Sequence, residues 1–306
     1  MANNNGESKK TAPELSNGKK LGIFLIAFIC FIALAVAVMV GYSYLSNAMA
    51  SKNGNSKDNN GNSYTDNDAL TVLSVTGDYI EDASSFLLLH MNPKEKKITV
   101  TVVPSATKTT YNGKEDTLKG FCNYGGPQLA ADAAAAALNI KIDKYIFIHS
   151  RDIEKTITLF DPIEFEVPED INFSTHETSV TLGKGKQILD GAAIFKLMKN
   201  PGWSGGAAQA DQIFAEFTCS LVNNNFSAEF FDEMQSRLTD LVMNIKTNIS
   251  YMDYMNDIGM VRHLAQENDG AICRSVSLDG RYSSDEKEFI LDMKEDSDIY
   301  KCFPKA

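Results

Sequence analysis

Leu21 to Leu45 form a run of 25 residues without one Asp, Glu, Lys or Arg, and no other feature constrains the chain as strongly. A bilayer core needs roughly 20 consecutive apolar residues, whereas the apolar part of a cleaved signal spans only about 7–15. The length therefore predicts a transmembrane helix over 21–45. Lys9, Lys10, Lys19 and Lys20 precede it and a mixed, Asp-containing stretch follows. That asymmetry sets the tail, 1–20, in the cytoplasm and everything after Leu45 outside. Ala48-Met49-Ala50 imitates a cleavage site and is the one feature that speaks for removal of the span. Residues 46–68 are rich in Asn, Ser and Gly and hold almost no large apolar side chain. Such a segment buries too little surface to fold and reads as a flexible linker. Folding is left to 69–306, the size of one large domain.

The net charge is −11 and the pI near 4.9, with no basic run beyond the N-terminal tail. A nucleic-acid partner has no electrostatic footprint in such a chain. Cys30 lies in the span; Cys122, Cys219, Cys273 and Cys302 lie in the exported part, where bridges are chemically permitted. Four cysteines allow three pairings. Cys273 with Cys302 is conceivable across a late strand pair, and free buried thiols are the plainer reading. No CxxC or Cys/His spacing marks a metal site, so neither a metal nor a cofactor is expected.

Leu70 to Val75 and Phe86 to Met91 read as apolar strands and Lys97 to Val103 as an alternating one. Pro127 to Leu138 reads as an alanine-rich helix opened by its proline, with Leu129, Ala133, Ala136 and Ala137 on one face. A strand over 144–149, a helix over 151–160 and a strand from Ile163 to Val167 follow. Helices are then expected over Asp190 to Lys199, Ala208 to Asn223 and Ala228 to Lys246, and a strand pair from Ser275 to Leu278 with Glu288 to Asp292. Strands alternating with helices predict an α/β domain with helices packed on a central mixed sheet.

Residue types alone identify no activity. Phosphate chemistry needs arginine forks, a helix N-terminus or carboxylate-held magnesium, and the chain has five arginines, four of them in its last third. Gly125-Gly126 before Pro127 reads as a tight turn feeding a helix, with anion binding as the alternative. Ser105, Thr107, Thr109 and Thr110 read as a solvated loop, and Glu164 with Glu166 as the solvent side of a strand.

Several linked segments, however, resemble one family in order and near-spacing: "SFLLLHMNPKEKKITVTVVPSAT", "YGGPQLAADAAAAALNIKIDKYIFI", "ITLFDPIEFEVPEDI", "LGKGKQILDGAAIFKLMK" and "QADQIFAEF". Together they are similar to the LytR-CpsA-Psr domain, densely over 70–223. The resemblance implies an α-β-α domain outside a Gram-positive-type membrane, whose active members transfer glycopolymers from polyprenyl pyrophosphate carriers to peptidoglycan. It also implies a ligand pocket near Pro104, Thr107, Lys108, Gly125, Gly126, Ala133 and Ala137.

Set against the family's motifs, this chain has lost the charges and kept the scaffold. Ser74-Val75-Thr76 stands where the family has Gly-x-Asp, with Asp78 two residues later as a weak substitute metal ligand. Asp82, Ala83, Ser84 and Ser85 fall on Arg-Ser-Asp-Thr, and Pro104, Ser105, Ala106 and Thr107 on Pro-Arg-Asp-Thr. Lys199 replaces a further arginine; Ala207 and Ala210 replace the two of Arg-x-x-Arg-Gln-Gln. Lysine is a point charge and does not reproduce a bidentate fork. The expectation is a non-catalytic envelope module that binds a polyprenyl lipid or a protein partner. Its rival is an active transferase relying on Asp78, Asp82, Lys199 and magnesium.

Overall fold

The computed structural model describes residues 64–80, 83–150, 152, 157, 160–174, 179–200, 202–227, 229–230 and 245–306. The expected tail, membrane span and most of the linker lie outside these residues, and so do Asp82 and most of the helices expected over 151–160 and 228–246. The described residues include the last five of the expected linker, from Tyr64. Tyr64 stacks on His263 with ring centroids 4.7 Å apart, and Asp66 pairs with Lys94 at 2.7 Å. An aromatic ring and a fixed carboxylate end the linker where a composition count does not.

Strands β1 (Leu70–Gly77), β2 (Ala83–Asn92) and β3 (Lys97–Val103) form an antiparallel meander. All eight residues of β1 are buried, which its β-branched and small hydroxylated side chains allow. A hairpin follows, β4 (Lys108–Tyr111) and β5 (Lys114–Thr117), turned by Asn112 (φ 51°) and Gly113 (φ 75°). It replaces the loop expected there.

Helix α1 (Leu118–Leu138) is capped by Thr117, whose side chain accepts from the Gly120 amide at 3.1 Å. It therefore starts nine residues before Pro127. Gly126 (φ 75°, ψ −173°) kinks it, and Pro127 opens its second half, as the sequence predicts. The buried face is Ala130, Ala131, Ala133, Ala134 and Leu138; Ala136 is exposed, so the expected face was rotated.

Strand β6 (Lys144–His149) pairs parallel to β1. The small strands β7 (Ile163–Val167), β8 (Ile171–Ser174), β9 (Ser179–Leu182) and β10 (Gly185–Leu189) form two side ribbons, β7 with β10 and β8 with β9. Glu164 and Glu166 face solvent, Glu164 paired with Lys186 at 2.8 Å. Asp190 caps α2 (Gly191–Leu197) by accepting from Ala193 at 2.7 Å. Next come α3 (Gly206–Asn225), β11 (Lys246–Thr247) and α4 (Tyr251–Gln266). Lys246 thus lies in a strand, not at the end of a helix.

The chain ends with β12 (Cys273–Ser275), β13 (Gly280–Tyr282), β14 (Phe289–Leu291) and α5 (Ile299–Cys302). Here the expected pairing is corrected. β14 pairs with β13, while β12 joins the main sheet parallel to β3, because the Val276 carbonyl accepts from Thr101 Oγ1 at 2.6 Å and holds that segment on the sheet.

The main sheet is mixed, in the order β11-β6-β1-β2-β3-β12. Val72, Leu87, Val100 and Ile146 face α3 and α4; Leu73, Phe86, Val103 and Phe147 face α1. Two apolar faces explain the layering, since a sheet buried on both sides needs helices on both. Because β1, β3, β6 and β12 run parallel, their carboxyl ends share one edge. Ligand sites of open α/β sheets form outside such an edge.

Candidate functional site

Four segments converge at that edge. Thr76 is buried near the end of β1, opposite Ser85, and the pairing slips by one residue between Thr76 and Gly77, leaving the Ser84 backbone in a bulge. Asp78 is exposed just beyond, and its carbonyl contacts His149 Nδ1 at 3.1 Å. Pro104 to Thr107 form the turn that leaves β3, the Thr107 amide donating to the Pro104 carbonyl at 2.9 Å. Ser105 and Thr107 carbonyls in turn accept from Lys119 and Leu118 at 3.0 Å, which ties the turn to the start of α1. Thr107 is fully buried and its Oγ1 has no hydrogen-bond partner among the described residues.

The start of α3 is the fourth segment. Gln209 Oε1 accepts from Ser204 Oγ and the Gly205 amide, and Glu286 Oε1 accepts from the Ala207 amide at 3.1 Å. A carboxylate of the β13–β14 turn therefore occupies the positive end of the helix. Gly206 permits this approach: its φ is +65°, and a Cβ there would lie 2.5 Å from Glu286 Oε1. Gly206→Ala is expected to cost about 1–2 kcal/mol in urea unfolding, because a left-handed alanine and a displaced carboxylate are imposed together.

Ala207 and Ala210 lie in this first turn, Ala210 packed in the core below it. On the adjacent helix face, Ala208, Asp211 and Gln212 line a hollow of about 300 Å³ with Pro104, Ser275 to Leu278 and the aromatic pair Tyr282 and Phe289. Among the described residues no Lys or Arg lines it. The Tyr282 hydroxyl donates to Asp211 Oδ2 in a short hydrogen bond. Burial pushes the Asp211 carboxyl up to about 7, against the opposing pull of Tyr282. Burial, with the Asp211 charge beside it, also raises the Tyr282 phenol.

Three lysines among the described residues have partners within the protein. Lys108 bridges Glu115 at 2.8 Å and Glu288 at 3.2 Å, so its charge is matched inside the protein. Lys199 lies over the Phe195 ring at 4.6 Å, just after α2, and Lys114 over Tyr124 at 4.3 Å.

Of the positions expected to line a pocket, Pro104 does so here. Thr107 lies beneath it, Lys108 is outside on β4, and Gly125 and Gly126 form the kink of α1. Ala133 is buried against the sheet and Ala137 half-buried, both on the opposite layer. Asp211, Tyr282 and Glu286 were missed by sequence reasoning. Tyr282 stands 71 positions from Asp211, and Glu286 79 from Ala207, so no local spacing reports these contacts.

Among the described residues no group of three or more His, Cys, Asp or Glu is arranged to hold a metal ion. No helix among them is long and apolar enough to cross a membrane.

The model of the LytR_cpsA_psr family matches residues 37–295. The chain is 25% identical over 292 residues to the polyisoprenyl-teichoic acid–peptidoglycan teichoic acid transferase TagU of Enterococcus faecalis, covering 86% of this chain and 92% of that one. Its fold is similar to that of TagV from B. subtilis, with a TM-score of 0.58, 16% identity and coverage of 73% and 90%. It is similar also to TagT bound to LI-WTA, with a TM-score of 0.53, 17% identity and coverage of 73% and 85%.

Proposed function

The chain belongs to the LytR-CpsA-Psr family, and from that premise we propose that it is a membrane-tethered, extracellular member that binds an envelope partner without performing phosphoryl transfer. One observation carries the reading. The hollow at the carboxyl edge holds Asp211, with Glu286 beside it at the start of α3, and among the described residues no Lys or Arg lines it.

A pyrophosphate brought there meets Asp211 and, beside it, Glu286, with no cation among the described lining residues to offset its charge. Each uncompensated charge costs several kcal/mol when desolvated. Phosphoryl transfer works by cancelling charge on the transferred group, and a site that adds charge opposes it. A polyprenyl lipid is disfavoured on the α1 side, where Ala130, Ala133 and Ala134 are fully buried in contact with the sheet layer. A protein or glycan partner at the edge is the remaining class. The tether rests on the charge-free run over 21–45 and its flanking lysines.

The second reading is the transferase of the family, favoured by the identity to the Enterococcus faecalis enzyme. The two are separated by incubating the full chain, in detergent micelles, with a polyprenyl-pyrophosphate-linked glycopolymer, magnesium and peptidoglycan fragments. The expected result is no release of the lipid carrier and no magnesium-dependent binding. Release that disappears in Lys199→Ala would establish the transferase instead.

A further inference from the structure

Cys219 of α3 and Cys273 of β12 bring their Sγ atoms to 2.9 Å, both buried in one apolar core. This exceeds a disulfide bond length by only about 0.9 Å. Two rigid elements impose the approach. One helical turn beyond Cys219, the Asn223 side chain donates to the Cys273 carbonyl at 3.1 Å and accepts from the Cys273 amide at 2.7 Å. That pair of hydrogen bonds holds β12 against α3 with the two sulfurs facing.

We propose that Cys219 and Cys273 form a disulfide in the exported protein, stapling α3 to the edge strand β12. The inference rests on the extracellular placement proposed above for its oxidant, and on geometry for its choice of partners. Successive residues of a strand face opposite sides of its sheet. Cys273 faces α3, whereas the next residue, Arg274, turns its Nη2 to Cys302 Sγ at 3.1 Å. Cys302 is therefore across the sheet from Cys273. Cys122 is on that far side too, buried in the α1 layer with its Sγ 3.7 Å from the Ile80 carbonyl. Cys219 with Cys273 is the pair whose sulfurs the fold brings together.

The chemistry balances with a thiol–disulfide oxidoreductase in its disulfide form. One cysteine thiolate attacks that disulfide, giving a mixed disulfide and a free oxidoreductase thiol. The second thiolate then displaces the oxidoreductase, which departs as a dithiol carrying both electrons and the two protons given up by the cysteine thiols. Burial, and then the neighbouring Cys219, push the Cys273 thiol up, so thiolate is scarce once the core has closed. The bond therefore forms while the chain is folding, and the closed core afterwards shields it from reductants.

The consequence reaches the candidate site. α3 and the segment following β12 are two walls of the hollow that holds Asp211. A covalent staple one face away fixes their separation.

The test is to denature the full chain, refold it in detergent micelles with a mixture of oxidised and reduced glutathione, trap free thiols with N-ethylmaleimide and map the peptides. Oxidised glutathione supplies the oxidant, so the outcome does not depend on where the protein resides in a cell. A Cys219–Cys273 linked peptide in most molecules, with Cys122 and Cys302 alkylated, is expected. Reductant should then lower the thermal midpoint by about 5–15 °C in the wild type. Cys302→Ser should leave both results unchanged. Alkylation of Cys219 and Cys273 in most molecules, or a link from either one to Cys122 or Cys302, overturns the proposal.

Discussion

Ala134→Phe should destabilise the domain by about 3 kcal/mol, the upper end of what overpacking imposes on a close-packed core. Ala134 is fully buried in the layer between α1 and the sheet, among Ala130, Ala133 and the strand residues Phe86, Leu88 and Phe147. Small side chains bring that helix in close, and a close-packed interior has no space for a benzyl group. Ala136→Phe, two residues away on the exposed side, should change stability by less than about 0.5 kcal/mol. Urea unfolding of the two variants checks the pair. If both are tolerated equally, the alanine helix borders a cavity, and a lipid chain regains a place on that face.

Asp211→Asn should flatten the pH dependence of stability that the wild type shows, removing the part due to Asp211. The Asp211 carboxyl has its value pushed by burial from an ordinary 3.8 to about 7, so the folded state holds the proton more tightly than the unfolded chain. Between about pH 4 and pH 7 the unfolded chain has released this proton and the folded protein has not. Stability therefore falls as pH rises through that window and levels off above it. Each unit is worth about 1.4 kcal/mol, and the opening of the hollow to solvent reduces the total to roughly 2 kcal/mol.

In Asp211→Asn the amide oxygen still accepts from the Tyr282 hydroxyl, and nothing is ionised. The variant should be more stable than the wild type at pH 8 and equal to or below it at pH 4. Asp257, pushed up to about 6 by burial and by Asp253, contributes a slope of the same sign in both proteins and cancels in the comparison. Thermal midpoints across pH 4–8 decide it. A slope in the variant undiminished from that of the wild type would place the proton elsewhere.

The layered fold was legible where burial writes a period into the chain. β1, β2, β3 and β6 are apolar or alternating runs, and α3 repeats its apolar residues at helical spacing, so these elements follow from the residues alone. The β4–β5 hairpin carried a local signal that a count of hydroxyls in its loop obscured: Asn112-Gly113 is the pair a two-residue turn prefers. The partner of β14 carried none. Its three residues pair equally well on paper with the segment after Cys273 or with Gly280–Tyr282, and the choice is made by Thr101 reaching Val276 from 175 positions away. The buried face of α1 was misjudged because seven alanines in one helix leave almost no contrast between its sides. Pro104 marked the edge of the site from the sequence. The groups that give the site its character, Asp211, Tyr282 and Glu286, meet only through tertiary contact.

The two rims of the main sheet are closed by strands of only two and three residues, β11 and β12. Lys246 is exposed on the first, and Arg274 and Ser275 on the second. Long bare strand edges recruit other chains, and short charged ones refuse them. On the membrane tether proposed above, where neighbours would meet often and at high local density, this guards against fibre-like association. Contact with a partner then has to come through side chains at the carboxyl end of the strands.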